Sequence, residues 1–356
     1  MKSLTTLLPN TQRLSCRLAF GEFFGLMAGG LVLVMLGTTS ASAQNTSADK
    51  TKSTAKTYTP ARTPWGDPDL QGTFTNKDEN NIPLERPNQF EGRKIEDVSS
   101  AELAQVVKQR NDAAVQFAGG IGGAETGAGP VHWYEYYGAR NSRPWLIVEP
   151  TDGRIPPVTP GAQARSDALA AALRSHGESD SAEVRSLYDR CITRGVPGSM
   201  MPVIYGNSYQ IVQTQGFVAI RYEMIHETRI IPLDSRPHVG PGIRTYMGDA
   251  RGHFEGTTLV VETTNFNGKN ASDLAGYGSP DRGASPNLRI VERFKPVGPG
   301  TIEWSVSLED AATWARPWTF AMNLTKDEGQ PVFEYACHEG NYGLTGILSA
   351  ARAAEK

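Results

Sequence analysis

The sequence carries little net charge, which excludes two kinds of partner. Its 35 basic and 38 acidic residues leave a formal charge of −3 at neutral pH. A nucleic-acid partner requires a basic stripe that neutralises phosphates, and an anionic membrane surface requires a polybasic patch. We therefore expect neither partner, and a small molecule is the expected ligand.

The sequence also lacks the motifs that mark several common enzyme classes. It contains no Gly-x-Ser-x-Gly elbow and no Gly-Lys-Ser/Thr loop, and the glycine-rich segment 119–129 has the order of neither nucleotide fingerprint. Neither His226-Glu227 nor His338-Glu339 is followed by the second histidine of a zincin. The sequence therefore predicts no bound cofactor and no metal site.

One long apolar run is present, and it is too short to span a bilayer. Phe23–Leu36 follows a basic N-terminal stretch, and Ala41-Ser42-Ala43 then supplies the small residues that signal peptidase recognises. The pattern predicts a signal peptide over residues 1–43, cleaved after Ala43, and a periplasmic or secreted protein without a membrane span. An uncleaved N-terminal anchor is the alternative.

Cysteine is scarce, with only three residues in the whole chain. Cys16 would leave with the signal peptide, so Cys191 and Cys337 would remain in an oxidising compartment. A bridge between them would close a loop of about 146 residues and contribute about 4–5 kcal/mol in the chain-entropy model. Two separate buried thiols are the alternative, because spacing alone does not prove a pairing.

The remaining chain divides into a linker and two structured parts. Residues 44–59 have almost no apolar side chains and predict a disordered linker. Residues 60–200 predict a helical and irregular layer docked on a β domain at 201–356. Within the layer, Ser99 and Glu102 form a capping box that begins a helix ending at Gly119-Gly120. Further helices are predicted at Ser166–Arg174 and Asp180–Cys191.

Short β-rich runs separated by turn residues fill the C-terminal half, and a buried strand followed by a turn is predicted within Pro144–Pro157. The pattern is typical of an antiparallel meander that closes into a lipocalin-like barrel or stacks as a two-sheet sandwich. The strand at Phe74 is a candidate for closing it from the N-terminal side. The stretch Asp249–Glu255 is interpreted as a charged hairpin rim. The predicted strands are Tyr209–Thr214, Phe217–Glu223, Thr228–Leu233, Thr257–Phe266, Leu288–Val297, Thr301–Leu308, Trp318–Leu324 and Val332–Cys337.

Several long motifs resemble a known family. They include PDLQGTF, LIVEPTDGRIPP, GDARGHFEGTTLVVETTNF and EYACHEGNYGLTGILSAARAAE, and they extend from about Pro60 to Glu355. The chain resembles a widespread, uncharacterised family of exported acidobacterial and proteobacterial hypothetical proteins. Phe74 stands where relatives often carry Trp. The resemblance implies export and one shared architecture, and it implies no chemistry.

The densest group of reactive side chains lies in EYACHEGN, residues 334–341. If the preceding strand ends at Cys337, then His338, Glu339 and Asn341 lie at the rim of the barrel, where ligands enter. His338 and Glu339 are then candidates for acid–base catalysis, and Asn341 and Tyr335 for ligand binding. The alternative is a structural corner beneath the last helix.

A second candidate is the predicted strand RYEMIHETR, residues 221–229. Alternation places Glu223 on one face and His226 on the other, and both are catalytic candidates. A charged face that points inward must be paired or used. Glu223 is therefore expected to pair with Arg221, Arg229 or Arg293, or to line a pocket; Arg229 and Arg293 are ligand-binding candidates.

Three functional hypotheses follow from these patterns. The first is an exported lyase, isomerase or hydrolase that acts on a small organic molecule by acid–base chemistry without a redox cofactor. The second is a non-catalytic periplasmic carrier for an apolar small molecule, and the third is a structural or interaction module of the cell envelope. A cavity with a histidine–carboxylate pair would favour the enzyme, an apolar cavity the carrier, and a filled barrel the module.

Overall fold

Ten antiparallel strands form one sheet that curves into a nearly closed barrel. The structure is a computed structural model that describes residues 58–120, 138–175, 177, 179–269, 285–329 and 331–355. The predicted signal peptide, residues 44–57 of the linker and the glycine-rich positions 121–129 lie outside these ranges. The strands are β1 (Gly72–Thr75), β2 (Ile147–Glu149), β3 (Ser208–Thr214), β4 (Phe217–Tyr222), β5 (Thr228–Pro232), β6 (Asp249–Glu255), β7 (Thr258–Thr264), β8 (Arg289–Gly298), β9 (Thr301–Glu309) and β10 (Trp318–Lys326).

Strand β1 joins the two ends of the C-terminal meander. The order across the sheet is β5-β4-β3-β1-β10-β9-β8-β7-β6, with β2 paired to β10 away from this path. Phe74 of β1 lies opposite Tyr209 on one side and Lys326 on the other. The prediction that the Phe74 strand closes the sheet is confirmed, and the architecture is the barrel rather than the sandwich.

The opening of the barrel lies between β5 and β6, which are close but not hydrogen-bonded neighbours. A Cβ atom on Gly252 of β6 would lie 2.8 Å from side-chain atoms of both Ile231 and Leu233. Only glycine therefore lets the two strands approach so closely. Asp249–Glu255, which was interpreted as a charged hairpin rim, forms strand β6, one arm of the β6–β7 hairpin at the edge of the sheet.

Most other strand predictions are confirmed. Seven of the eight C-terminal runs match β3, β4, β5, β7, β8, β9 and β10 closely, and the strand predicted within Pro144–Pro157 is β2. The exception is Val332–Cys337, which is irregular and ends in turns. Its alternating pattern has no neighbouring strand with which to pair, because β1 already occupies the free side of β10.

The barrel interior is packed with side chains. Phe294, Trp304, Phe320 and Met322 are fully buried and belong to one continuous hydrophobic core. The Trp304 ring meets Phe320 edge-on with centroids 5.7 Å apart. A void wide enough for a water molecule would expose the atoms lining it, so side chains with zero exposure have no such void beside them. The strands therefore enclose a core rather than a ligand cavity.

One ion pair lies inside this core. Arg229 of β5 pairs with Glu292 of β8, and the exposed side-chain fractions are only 4% and 0%. The guanidinium also donates to the Thr263 hydroxyl at 2.9 Å, and the Trp304 indole donates to Glu292 at 3.2 Å. Burial raises the pKa of the adjacent Tyr222 hydroxyl to about 12, so that side chain is neutral. The pair therefore links β5 to β8 across the interior.

Three α-helices accompany the barrel: α1 (Ser100–Gly120), α2 (Pro160–Ser175) and α3 (Tyr342–Ala354). The predicted start and end of α1 are confirmed. The Ser99 hydroxyl accepts from the Glu102 N–H at 3.3 Å, whereas the Glu102 carboxylate accepts from Arg93 at 2.8 Å instead of closing the capping box. Helix α1 covers a small core of Phe90, Val106 and Trp145 beside the barrel.

The other two helix predictions needed correction. Helix α2 begins at Pro160 rather than Ser166, because the Thr159 hydroxyl accepts from the Ala162 N–H at 3.1 Å and proline suits a first turn. The helix predicted at Asp180–Cys191 was wrong, and only a single 3-10 turn forms at Ala182–Val184. Local side-chain bonds, such as Ser186 accepting from the Asp189 N–H at 3.0 Å, compete with the helix.

No helix within the described ranges is both long enough and apolar enough to cross a membrane.

Removing one partner of the buried ion pair should destabilise the fold strongly. We expect Arg229→Met or Glu292→Gln to lower the free energy of unfolding by about 3–5 kcal/mol, because each leaves a buried charge or polar group without its partner. Urea denaturation measures this loss. The matched control is Arg293→Met on β8, next to Glu292, because Arg293 pairs with Glu255 on the surface and such pairs contribute about 0–1 kcal/mol. Equal losses from Arg229→Met and Arg293→Met would contradict the assignment.

Candidate functional site

A disulfide joins two segments that approach the same end of the barrel. Cys191 and Cys337 are bonded, with Cα atoms 5.5 Å apart, as the cysteine count predicted. The bridge links the turns before β3 to the segment that precedes α3. Asn341 strengthens this junction, since its amide donates to the Asp189 carbonyl at 2.9 Å and its side-chain oxygen accepts from the Leu344 N–H at 3.3 Å. Asn341 is therefore the N-cap of α3.

Three tyrosines meet beside the disulfide, and we call Tyr188, Tyr205 and Tyr335 the tyrosine cluster. The rings of Tyr205 and Tyr335 lie 6.1 Å apart. The Tyr335 hydroxyl donates to Tyr205, and this bond together with burial raises the pKa of Tyr335 to about 12. Burial also raises the pKa of Tyr205, whose hydroxyl donates to Tyr188. All three rings are half-buried, and their hydroxyl groups form one hydrogen-bonded chain.

A cation extends the tyrosine cluster. The Arg194 guanidinium lies 4.6 Å from the centroid of the Tyr188 ring, a cation–π contact. Arg194 is itself only partly exposed. The surface therefore combines aromatic faces, hydroxyl groups and one positive charge.

The turn between β4 and β5 supplies His226 and is strained. Residues 221–229 were predicted as one strand, and that prediction was wrong. Strand β4 ends at Tyr222, a 3-10 turn follows at Met224–His226, and β5 begins at Thr228. Ile225 has φ +62° and His226 has φ +44°. A left-handed conformation is rare for a β-branched residue, and such strain persists only where the surroundings enforce it. Buried Met224 and Ile225 fix the turn from beneath.

This turn contacts the tyrosine cluster through its backbone and side chains. The Nδ1 atom of His226 lies 3.2 Å from the Tyr335 carbonyl. Glu227 accepts from the Thr193 hydroxyl at 2.7 Å, and burial raises the pKa of its carboxyl. Glu223 accepts from the Ser208 N–H at 3.2 Å. Four predicted site residues, Glu223, His226, Tyr335 and Asn341, therefore lie in one region of the barrel end.

The structure places the other predicted site residues differently. His338 and Glu339 lie in an exposed turn, and their side chains make no hydrogen bond or ion pair with any described residue. The prediction that they follow a strand was wrong. Arg229 pairs with Glu292 in the core, and Arg293 pairs with Glu255 outside, so neither is available as the partner of Glu223. Among the described residues, no group of three or more His, Cys, Asp or Glu side chains could hold a metal ion.

Tyr188, Tyr205 and Arg194 did not emerge from the sequence as site residues. Tyr188 lies far from Tyr335 along the chain, and the Cys191–Cys337 bridge and the Asn341–Asp189 hydrogen bond bring their segments together. The sequence signal for two of the tyrosines was their closeness to a cysteine. Tyr188 precedes Cys191, and Tyr335 precedes Cys337, by a few residues, so a bridge between the cysteines would bring the two tyrosines together.

Loss of the disulfide should separate the two halves of the tyrosine cluster. We expect Cys191→Ala/Cys337→Ala to lower the free energy of unfolding by up to about 4–5 kcal/mol. Thiol titration of the denatured, unreduced wild type should find no free thiol. Two titratable thiols, or an unfolding free energy unchanged by the double substitution, would contradict the bridge.

The buried carboxyl of Glu227 should give stability a distinct pH dependence. Its pKa is raised in the folded state, so its favourable contribution is complete below the unfolded pKa and is lost as pH rises through the folded pKa. We therefore expect Glu227→Gln to gain stability relative to wild type as pH rises above about 4. Urea denaturation between about pH 4 and pH 8 measures the difference.

The control for this measurement is Glu102→Gln, which should behave oppositely. The hydrogen bond from Arg93 lowers the pKa of Glu102, so its contribution is present above the unfolded pKa and is lost as pH falls. Glu102→Gln should therefore lose stability relative to wild type as pH rises. The same trend in both variants would contradict the assignment.

The comparisons with known proteins do not identify a family. No family model and no curated protein matches the chain. Among solved structures, the chain matches a secretary abundant heat soluble (SAHS) protein from Ramazzottius varieornatus, at 14% identity over 40% of this chain and 87% of that chain, with a TM-score of 0.21. A likeness of this degree carries no argument about function, so the barrel is established by its own strand pairing.

Proposed function

We propose that this chain is an exported, non-catalytic interaction module, which binds a partner protein through the surface around the tyrosine cluster. The observation that carries the proposal is the filled barrel. Phe294, Trp304 and Phe320 occupy the interior where a carrier would hold its ligand, and all three are fully buried. Binding must then take place on the outside.

The side chains around the tyrosine cluster suit a protein interface. Tyrosine and arginine are enriched among the residues that dominate binding energy, because they combine large contact areas with hydrogen bonds. Tyr188 and Arg194 form such a pair. Two very exposed aromatic residues lie on the adjoining segment, namely Phe333 at 58% and Tyr342 at 81% exposure. Exposed apolar side chains of this size favour an interaction surface.

The backbone beneath this surface is held in a fixed shape. The Cys191–Cys337 bridge, the Asn341 cap and the strained Ile225-His226 turn all converge there. A preordered surface loses less conformational entropy on binding than a flexible one. Backbone strain at Ile225-His226 destabilises the fold, and holding a binding surface in a fixed shape is a reason for the protein to retain it.

Export is part of the proposal. Its supports are the predicted signal peptide over residues 1–43, the resemblance to exported proteins and the disulfide, since structural disulfides belong to oxidising compartments.

An acid–base enzyme is the second candidate, because of one observation. Burial raises the pKa of Glu227, which follows the exposed His226 directly in the chain, and perturbed carboxyls often mark catalytic sites. His226 and Glu223, with His338 and Glu339 on the nearby turn, would then be the catalytic groups. In that case turnover of a small molecule should disappear in Glu227→Gln while the binding of a protein partner stays unchanged.

Site-specific photocrosslinking in intact cells tests the interaction module. The photoreactive residue p-benzoylphenylalanine replaces Phe333 or Tyr342, and a discrete adduct of higher mass should form on irradiation. Arg194→Ala should reduce the adduct yield about tenfold, which corresponds to about 1.4 kcal/mol of lost binding.

The matched control position is Phe217, an aromatic residue of 40% exposure that starts β4 at the opposite end of the barrel. It should give no discrete adduct. Absence of adducts at Phe333 and Tyr342, or equal adducts at Phe217, would contradict the proposal.

A further inference from the structure

A small cleft opens at the end of the barrel opposite the tyrosine cluster, beside the hairpin that joins β8 to β9. Its volume is about 170 Å³. Leu70, Phe74 and Ile302 lie along it and belong to the hydrophobic core, so its floor is apolar. Pockets for drug-sized ligands measure about 300–1,000 Å³, so this cleft suits a much smaller molecule.

Irregular backbone makes the room for this cleft. The register between β8 and β9 shifts between Pro296 and Gly298, a β-bulge of the kind that is common at barrel rims and near binding sites. Opposite, Gly72 has φ +144°, and a Cβ atom there would lie 2.7 Å from Cε of Lys326. The glycine therefore lets the lysine side chain lie across β1 and along the cleft.

Two opposite charges line the cleft. The Asp69 carboxylate uses Oδ1 to accept from the Gln71 backbone N–H at 3.0 Å and side-chain Nε2 at 3.3 Å, and its Oδ2 atom has no hydrogen-bond partner among the described residues. The Lys326 ammonium pairs at 2.6 Å with Glu328, whose side chain is 68% exposed. Exposed ion pairs contribute little to stability, so a ligand carboxylate can replace Glu328 at the ammonium.

We propose that this cleft binds a small zwitterion with a short apolar side chain, that is, a free apolar α-amino acid. Asp69 Oδ2 accepts from the ligand ammonium, and Lys326 Nζ donates to the ligand carboxylate. The side chain of the ligand lies on the apolar floor of Leu70, Phe74 and Ile302. Specificity for a zwitterion arises because a molecule that lacks either charge leaves one of the two protein charges unsatisfied.

Calorimetric titration of the mature, disulfide-bonded protein with three matched probes tests this proposal. The probes are leucine, isopentylamine, which lacks the carboxylate, and 4-methylpentanoate, which lacks the ammonium. Wild type should bind leucine at least tenfold more tightly than either analogue. Asp69→Asn should lower leucine affinity at least tenfold and leave the affinity for 4-methylpentanoate unchanged. Lys326→Gln should also lower leucine affinity at least tenfold, and it should leave the affinity for isopentylamine unchanged.

The control variants are Asp152→Asn and Lys108→Gln, which remove exposed charges that do not line the cleft and should leave leucine binding unchanged. Thermal unfolding confirms that each variant is folded, and the comparison of the three probes on wild type needs no variant at all. Absence of leucine binding, equal affinity for all three probes, or leucine affinity unaffected by both Asp69→Asn and Lys326→Gln would overturn the proposal.

Discussion

An ion pair inside the barrel, Arg229 with Glu292, constrains how the sheet can close. It links β5, at one edge of the sheet, to β8 on the far side of the opening between β5 and β6. Charges can be buried only if they are paired and hydrogen-bonded, and Thr263 and Trp304 supply the additional bonds. The pair therefore favours the one closure of the sheet that satisfies both charges.

The same pair occupies space in which a carrier would hold its ligand. Trp304 hydrogen-bonds to Glu292 and packs against Phe294 and Phe320, and these fully buried side chains leave no room beside them for a bound ligand. In our proposals, function lies at the two barrel ends, which differ in kind. One end displays the disulfide-linked tyrosine cluster on a broad surface, which suits a macromolecule, and the other has a small charged cleft, which suits a small ligand.

The sequence predicted the barrel well, because its strands alternate clearly and end at recognisable turns. It missed β6 because a strand with Gly252 at its centre looks like a loop, and the need for that glycine comes from the close approach of β5. It predicted a helix at Asp180–Cys191 because local side-chain bonds and the disulfide geometry were not visible. The tyrosine cluster was largely beyond prediction, since its members are distant in the chain and are joined by a bridge that sequence spacing could suggest but not prove.

Xenon binding to crystals of the protein tests the filled barrel most directly. Xenon enters dry apolar cavities and is located by its anomalous scattering. The packed interior predicts no xenon site beside Phe294, Trp304 or Phe320. An occupied xenon site among these three side chains would show an apolar chamber inside the barrel, and the assignment of function to the outer surfaces would then be wrong.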